Sequence, residues 1–154
     1  MRAPDPDASD HPPAYRHRSA SRSWQRAALC VAGLQCLIWG CFIVVCPSLA
    51  SRCYGFAEPP AELFLWQGMG LVIVLFGIGY VIAARDPAQH WVMVLIGLLS
   101  KSLGPLGMAW SVYAGSVSRQ VLYLIPVNDL VWLVPFGIIL LDVYRTRRRA
   151  TAKD

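Results

Sequence analysis

Two ionisable side chains stand where the surrounding sequence should exclude them. Lys101 lies in the middle of Trp91–Tyr113 (WVMVLIGLLSKSLGPLGMAWSVY), a run otherwise apolar and long enough to cross a bilayer. Asp129 lies inside a second such run, 121–141 (VLYLIPVNDLVWLVPFGIILL). At about 1.5 Å of helical rise per residue, Lys101 sits roughly 15 Å in from Trp91 and Asp129 roughly 18 Å in from Leu141. Both depths fall near the centre of a hydrocarbon layer about 30 Å thick. A lone charge there costs at least about 2.5–3.5 kcal/mol, so two opposite charges at one depth predict an ion pair. Gln35, roughly 12 Å in by the same count from Ala27, and Asn128 are expected partners of that pair. Trp132, one helical turn beyond Asn128, would wall a pocket beside them. Two readings of this polar centre stay open. It is a site for a substrate, a proton or a headgroup, or it is a structural pair that fixes helix register and partner choice.

The neighbouring glycines and prolines bear on that choice. Gly97, Gly104, Pro105 and Gly107 surround Lys101, while Pro126 and Pro135 bracket Asn128-Asp129. Pro105 has no N–H to give the carbonyl of Lys101, and Pro126 none for that of Leu122. Broken helices beside a charged pair line cavities in carriers; elsewhere they are plain kinks. Other chemistry has little support. No histidine lies within an apolar run, which excludes a bis-histidine haem, and no GxSxG, HExxH or P-loop pattern occurs. Ser100 and Ser102 flank Lys101, but adjacent residues on a helix point apart, so no Ser–Lys dyad forms. No catalytic residue, metal ligand or cofactor is expected.

The elements that must hold these residues follow from composition. Of 154 residues, 56% are hydrophobic and 15% charged, the mean hydropathy is +0.46, and the apolar residues come in blocks. Four spans are predicted, at 27–46, 63–84, 91–113 and 121–141, forming an all-α integral membrane bundle of four antiparallel helices. Residues 1–26 read as a disordered basic tail and 145–154 as a second basic tail. Eleven of the fourteen Lys and Arg fall in the two tails and the Arg85–His90 link, against Arg52 and Arg119 in the other loops. The net charge of +5 is therefore a topology signal placing both termini in the cytoplasm, and implies no nucleic-acid partner. The Arg-led first block followed by Ser48-Leu49-Ala50 also resembles a secretory signal cleaved after Ala50, but its apolar stretch is long for one. On span two, Gly70, Gly77 and Ala84 recur every seven residues and leave one face nearly bare backbone, fit for close helix approach. The five cysteines show no metal-like spacing; four lie in or beside the first span, and only a Cys46–Cys53 disulfide is left open.

The stretches 77–87 (GIGYVIAARDP), His90-Trp91, 101–107 (KSLGPLG) and 128–136 (NDLVWLVPF) resemble a family of small bacterial four-span membrane proteins. The resemblance covers roughly 27–144 and implies the bacterial inner membrane, with no established activity. Some members bear the label alkyl hydroperoxide reductase. That label does not transfer, because a peroxidatic cysteine needs an accessible, thiolate-favouring site and these cysteines cluster at a lipid-embedded helix. Leu133 stands where many members have a second aromatic. The expected function is a non-enzymatic accessory or binding protein. Its partners would be the bilayer and either a small or lipidic ligand, a membrane-protein partner or a second copy of itself. The alternative is a small proton-coupled carrier working as an oligomer.

Overall fold

A computed structural model describes residues 14–56 and 58–152. Among them every regular element is helical and no strand occurs. Its helices are α1 (Ala14–Val45), α2 (Pro47–Cys53), α3 (Leu63–Ala83), α4 (Trp91–Tyr113) and α5 (Val131–Thr151). Between α4 and α5 come a 3₁₀ helix, Arg119–Tyr123, and a π-helical turn, Pro126–Leu130. Four segments are long and apolar enough to cross a membrane: Ser23–Val45, Leu63–Ala83, Trp91–Tyr113 and Arg119–Arg149. Short links make them an antiparallel bundle. The start of α1, the end of α5 and the 84–90 link share one side, the tail face; α2 and the 114–118 turn form the opposite loop face.

Two boundaries differ from the sequence expectation. Helix α1 starts at Ala14, so 14–26 is helical rather than disordered; residues 1–13 lie outside the described residues. Once a long apolar helix is nucleated, each added residue costs little, and Ala, Arg and Gln in this stretch are good helix formers. The fourth span is not one helix. Pro126 opens the π turn, and its missing N–H interrupts the helical ladder where Asn128 and Asp129 follow.

Helices α1 and α3 approach almost backbone to backbone. A Cβ added to Gly40 would fall 2.7 Å from the carbonyl oxygen of Gly70, and one added to Gly77 would fall 2.9 Å from that of Gly33. The seven-residue glycine spacing of α3 is thus met by the same spacing on α1, and the packing needs both. Gln67 then ties α3 to the end of α1 by donating to the Val44 carbonyl at 2.9 Å.

The core fills the tail-side half. Leu29, Ala32 and Cys36 of α1 meet Tyr80 and Ala83 of α3, Val94 of α4, and Trp132, Phe136 and Ile139 of α5. Tyr80 crosses edge-on to Phe136 at 5.1 Å and lies over Gly97, where a Cβ would collide with it. Polar contacts close the tail face. Gln25 donates to Asp142 at 2.9 Å, Arg147 sits 4.9 Å above the Trp91 ring, and Asp86 accepts from the N–H groups of Ala88 and Gln89 to shape the link. The outward faces are apolar: Leu34, Ile38, Leu75, Leu103 and Leu141 are each more than half exposed. In water such faces would aggregate; in lipid they are solvated.

Candidate functional site

The five polar-centre residues, scattered over 98 positions of sequence from Gln35 to Trp132, form one hydrogen-bonded cluster. Lys101, at the middle of α4, is buried. Its ammonium donates to the Asp129 carboxylate (Oδ1, 3.0 Å) and to the backbone carbonyl of Asn128 at 2.7 Å. The π turn brings that carbonyl and the neighbouring carboxylate to the same donor, and so the broken fourth span is what builds the lysine's receptor. The Asn128 amide makes long contacts of 3.4 Å to both Asp129 oxygens. From α1, the Gln35 amide donates to Asn128 Oδ1 and to the Val127 carbonyl, each at 3.3 Å. From α5, the Trp132 indole donates to Gln35 Oε1 at 2.9 Å. Trp132 is therefore a hydrogen-bonding member of the cluster; it lines neither cavity beside the cluster, so the pocket wall expected of it is not formed.

The pair is asymmetric. The Lys101 side chain is 10% exposed and that of Asp129 20%. Asp129 Oδ2 keeps only the long contact from Asn128, so one carboxylate oxygen retains acceptor capacity. Two cavities border the cluster. One, of about 210 Å³, opens in the loop-side half, with Asn128 and Asp129 at its polar end, Gly104 and Pro105 beside them, and Tyr54, Phe56 and Trp66 as aromatic walls. The other, about 360 Å³, is a groove between α1 and the broken segment, lined by Leu34, Gln35, Ile38, Val127 and Asn128. The exposed side chains of Leu34, Ile38 and Val127 place it on the lipid-facing surface. Lys101 lines neither.

The aromatic walls are residues the sequence reading did not assign to the site. Near the start of the second span Trp66 fits an interfacial tryptophan, a type enriched at membrane–water boundaries, yet it meets Tyr54 edge-on at 5.1 Å and Phe56 at 5.7 Å. Trp39 donates to the Tyr54 hydroxyl at 2.7 Å. Burial pushes the Tyr54 phenol above its ordinary value; the Trp39 hydrogen bond opposes this and the negative charge of Asp129 adds to it. The local signal was Tyr54-Gly55-Phe56. Gly55 has φ of +82°, a left-handed turn that glycine tolerates, and it folds both rings over the loop face. All five cysteines are free thiols, Cys46 and Cys53 included.

No family model matches this chain, and none of the curated proteins or solved structures does. The fold and the cluster define a four-span, multi-pass class of membrane protein, and the functional reading rests on the site itself.

Proposed function

We propose that this protein is a non-enzymatic binding or accessory protein of the bacterial inner membrane, with both termini cytoplasmic, whose Lys101–Asp129 centre holds a small or lipidic ligand. One observation carries the reading: Asn128 and Asp129 of the polar centre line a cavity in the loop-side half. A purely structural pair would gain most from complete burial with every acceptor filled, whereas the Asp129 side chain is 20% exposed and its Oδ2 has only the long Asn128 contact. The positive-charge distribution supports the orientation, and the resemblance of 101–107 and 128–136 to small bacterial four-span proteins supports the compartment.

The test is mass spectrometry of molecules that copurify with the full chain, against the Lys101→Met, Asp129→Leu double variant. A stoichiometric molecule lost from the double variant supports binding at the centre; an identical copurified set from both proteins counts against it. The π turn favours a second reading, a small carrier, because interrupted helices at membrane depth mark the substrate sites of transporters. Ligand flux in proteoliposomes distinguishes carriage from binding.

A further inference from the structure

We infer that the loop-side cavity takes a neutral single-ring alcohol of phenol type, its hydroxyl donating to the carboxylate of Asp129 and its ring lying among Tyr54, Phe56 and Trp66. This rests on the polar-centre reading and names the ligand class for it.

Size comes first. An apolar protein cavity of about 150 Å³ accommodates benzene, so about 210 Å³ accommodates one ring with a short substituent. The lining then fixes polarity. Aromatic walls favour a ring at offset or edge-on geometry, and the polar end presents an acceptor, since Lys101 spends its contacts on Asp129 Oδ1 and the Asn128 carbonyl and does not line the cavity. A group that donates finds an acceptor there in Asp129, with the Asn128 amide beside it.

Charge decides between the two kinds of donor. A cationic amine would find both a carboxylate and an aromatic wall, which is an attractive combination. Asp129 is already neutralised by Lys101 at 3.0 Å, however, so the amine would add an uncompensated charge at membrane depth beside an ammonium. That cost exceeds what the rings return. A hydroxyl donates to the same oxygen and leaves the site neutral.

The experiment is calorimetric titration of the full-length protein in nanodiscs with 4-propylphenol, propylbenzene and benzyltrimethylammonium. The expected result is saturable binding of 4-propylphenol about tenfold tighter than propylbenzene, in line with one hydrogen bond to a charged acceptor. Gly104→Leu should weaken both by about tenfold or more, in keeping with occlusion of a small cavity; Gly104 lines that cavity, and a Cβ there meets nothing within 4 Å. Met108→Trp, also in the cavity wall, serves if that variant does not fold. Equal affinity for phenol and hydrocarbon, tighter binding of the ammonium, or indifference to both cavity-filling variants overturns the inference. A copurified molecule that lacks a hydroxyl but still depends on Lys101 and Asp129 would overturn this ligand class while leaving the binding reading in place.

Discussion

Lys101 is held by one charged acceptor and one backbone acceptor, and the two are not equally replaceable. Removing either member of the ion pair leaves a midplane charge with no counterion, a state that commonly costs about 3–5 kcal/mol, while removing both leaves none. Lys101→Met and Asp129→Leu should each lower thermal stability in detergent sharply. The double variant should recover most of the loss, and the four proteins together measure the coupling. Additive losses would mean that the two charges do not meet. The outlying member of the cluster is worth less. Trp132→Phe keeps an aromatic ring but removes the N–H that reaches Gln35 at 2.9 Å and part of a buried side chain. A loss of about 1 kcal/mol for the hydrogen bond, with a packing loss added to it, is expected in the same melts. These five residues were legible because polar side chains in apolar runs have nothing else to do at that depth. Trp132's N–H was harder to read, since a tryptophan in a bundle packs well without a partner.

At the scale of elements, the glycines separate close contact from open space. Gly77→Leu would drive a side chain into the Gly33 carbonyl and Leu37, and several kcal/mol of destabilisation is expected from overpacking, at the upper end of about 1–3 kcal/mol or beyond because backbone cannot yield. Gly137→Ala meets nothing within 4 Å and should be neutral or stabilising by up to about 1 kcal/mol, since alanine is the better helix former. Equal effects in chemical denaturation would show that α1 and α3 do not touch where the glycines are. The loop face offers a pH test. The raised phenol of Tyr54 makes its neutral form the folded one, so its contribution is full below the ordinary value of 10.0 and is lost as pH climbs through the raised folded value. Alkaline unfolding followed by tryptophan fluorescence should therefore lose a step in Tyr54→Phe. The sequence marked Gly70 and Gly77 but not their partners Gly33 and Gly40, since spacing on one helix does not say which helix answers it. The π turn was illegible for a related reason. Pro126 announces a missing donor, but whether the chain then kinks, tightens or widens depends on what Lys101 offers from across the bundle.

For the whole molecule, the four spans place 47–62 and 114–118 opposite both tails. Reporter fusions after Asp154 and within 47–62 should give cytoplasmic and exported signals respectively; an exported signal at the C-terminus would contradict the cytoplasmic placement, and like signals at both positions would contradict four crossings. Packing is uneven between the two ends, dense around Tyr80 and Phe136 on the tail side and hollow near Trp66 on the loop side. Span number and position were legible from the apolar blocks; this unevenness was not, because belt aromatics and cavity aromatics look alike in sequence. The separation of the ion pair has a consequence for biosynthesis. Asp129 follows Lys101 by 28 residues, which at about 5–20 residues per second is a delay of roughly 1–6 s. Throughout that interval the ribosome has delivered the lysine but not its counterion. The third span must therefore wait beside the translocon, or dip in and out of lipid, until the fourth arrives. Nascent chains arrested before Asp129 should leave 91–113 extractable by alkali, and chains arrested well beyond Leu141 should hold it fast.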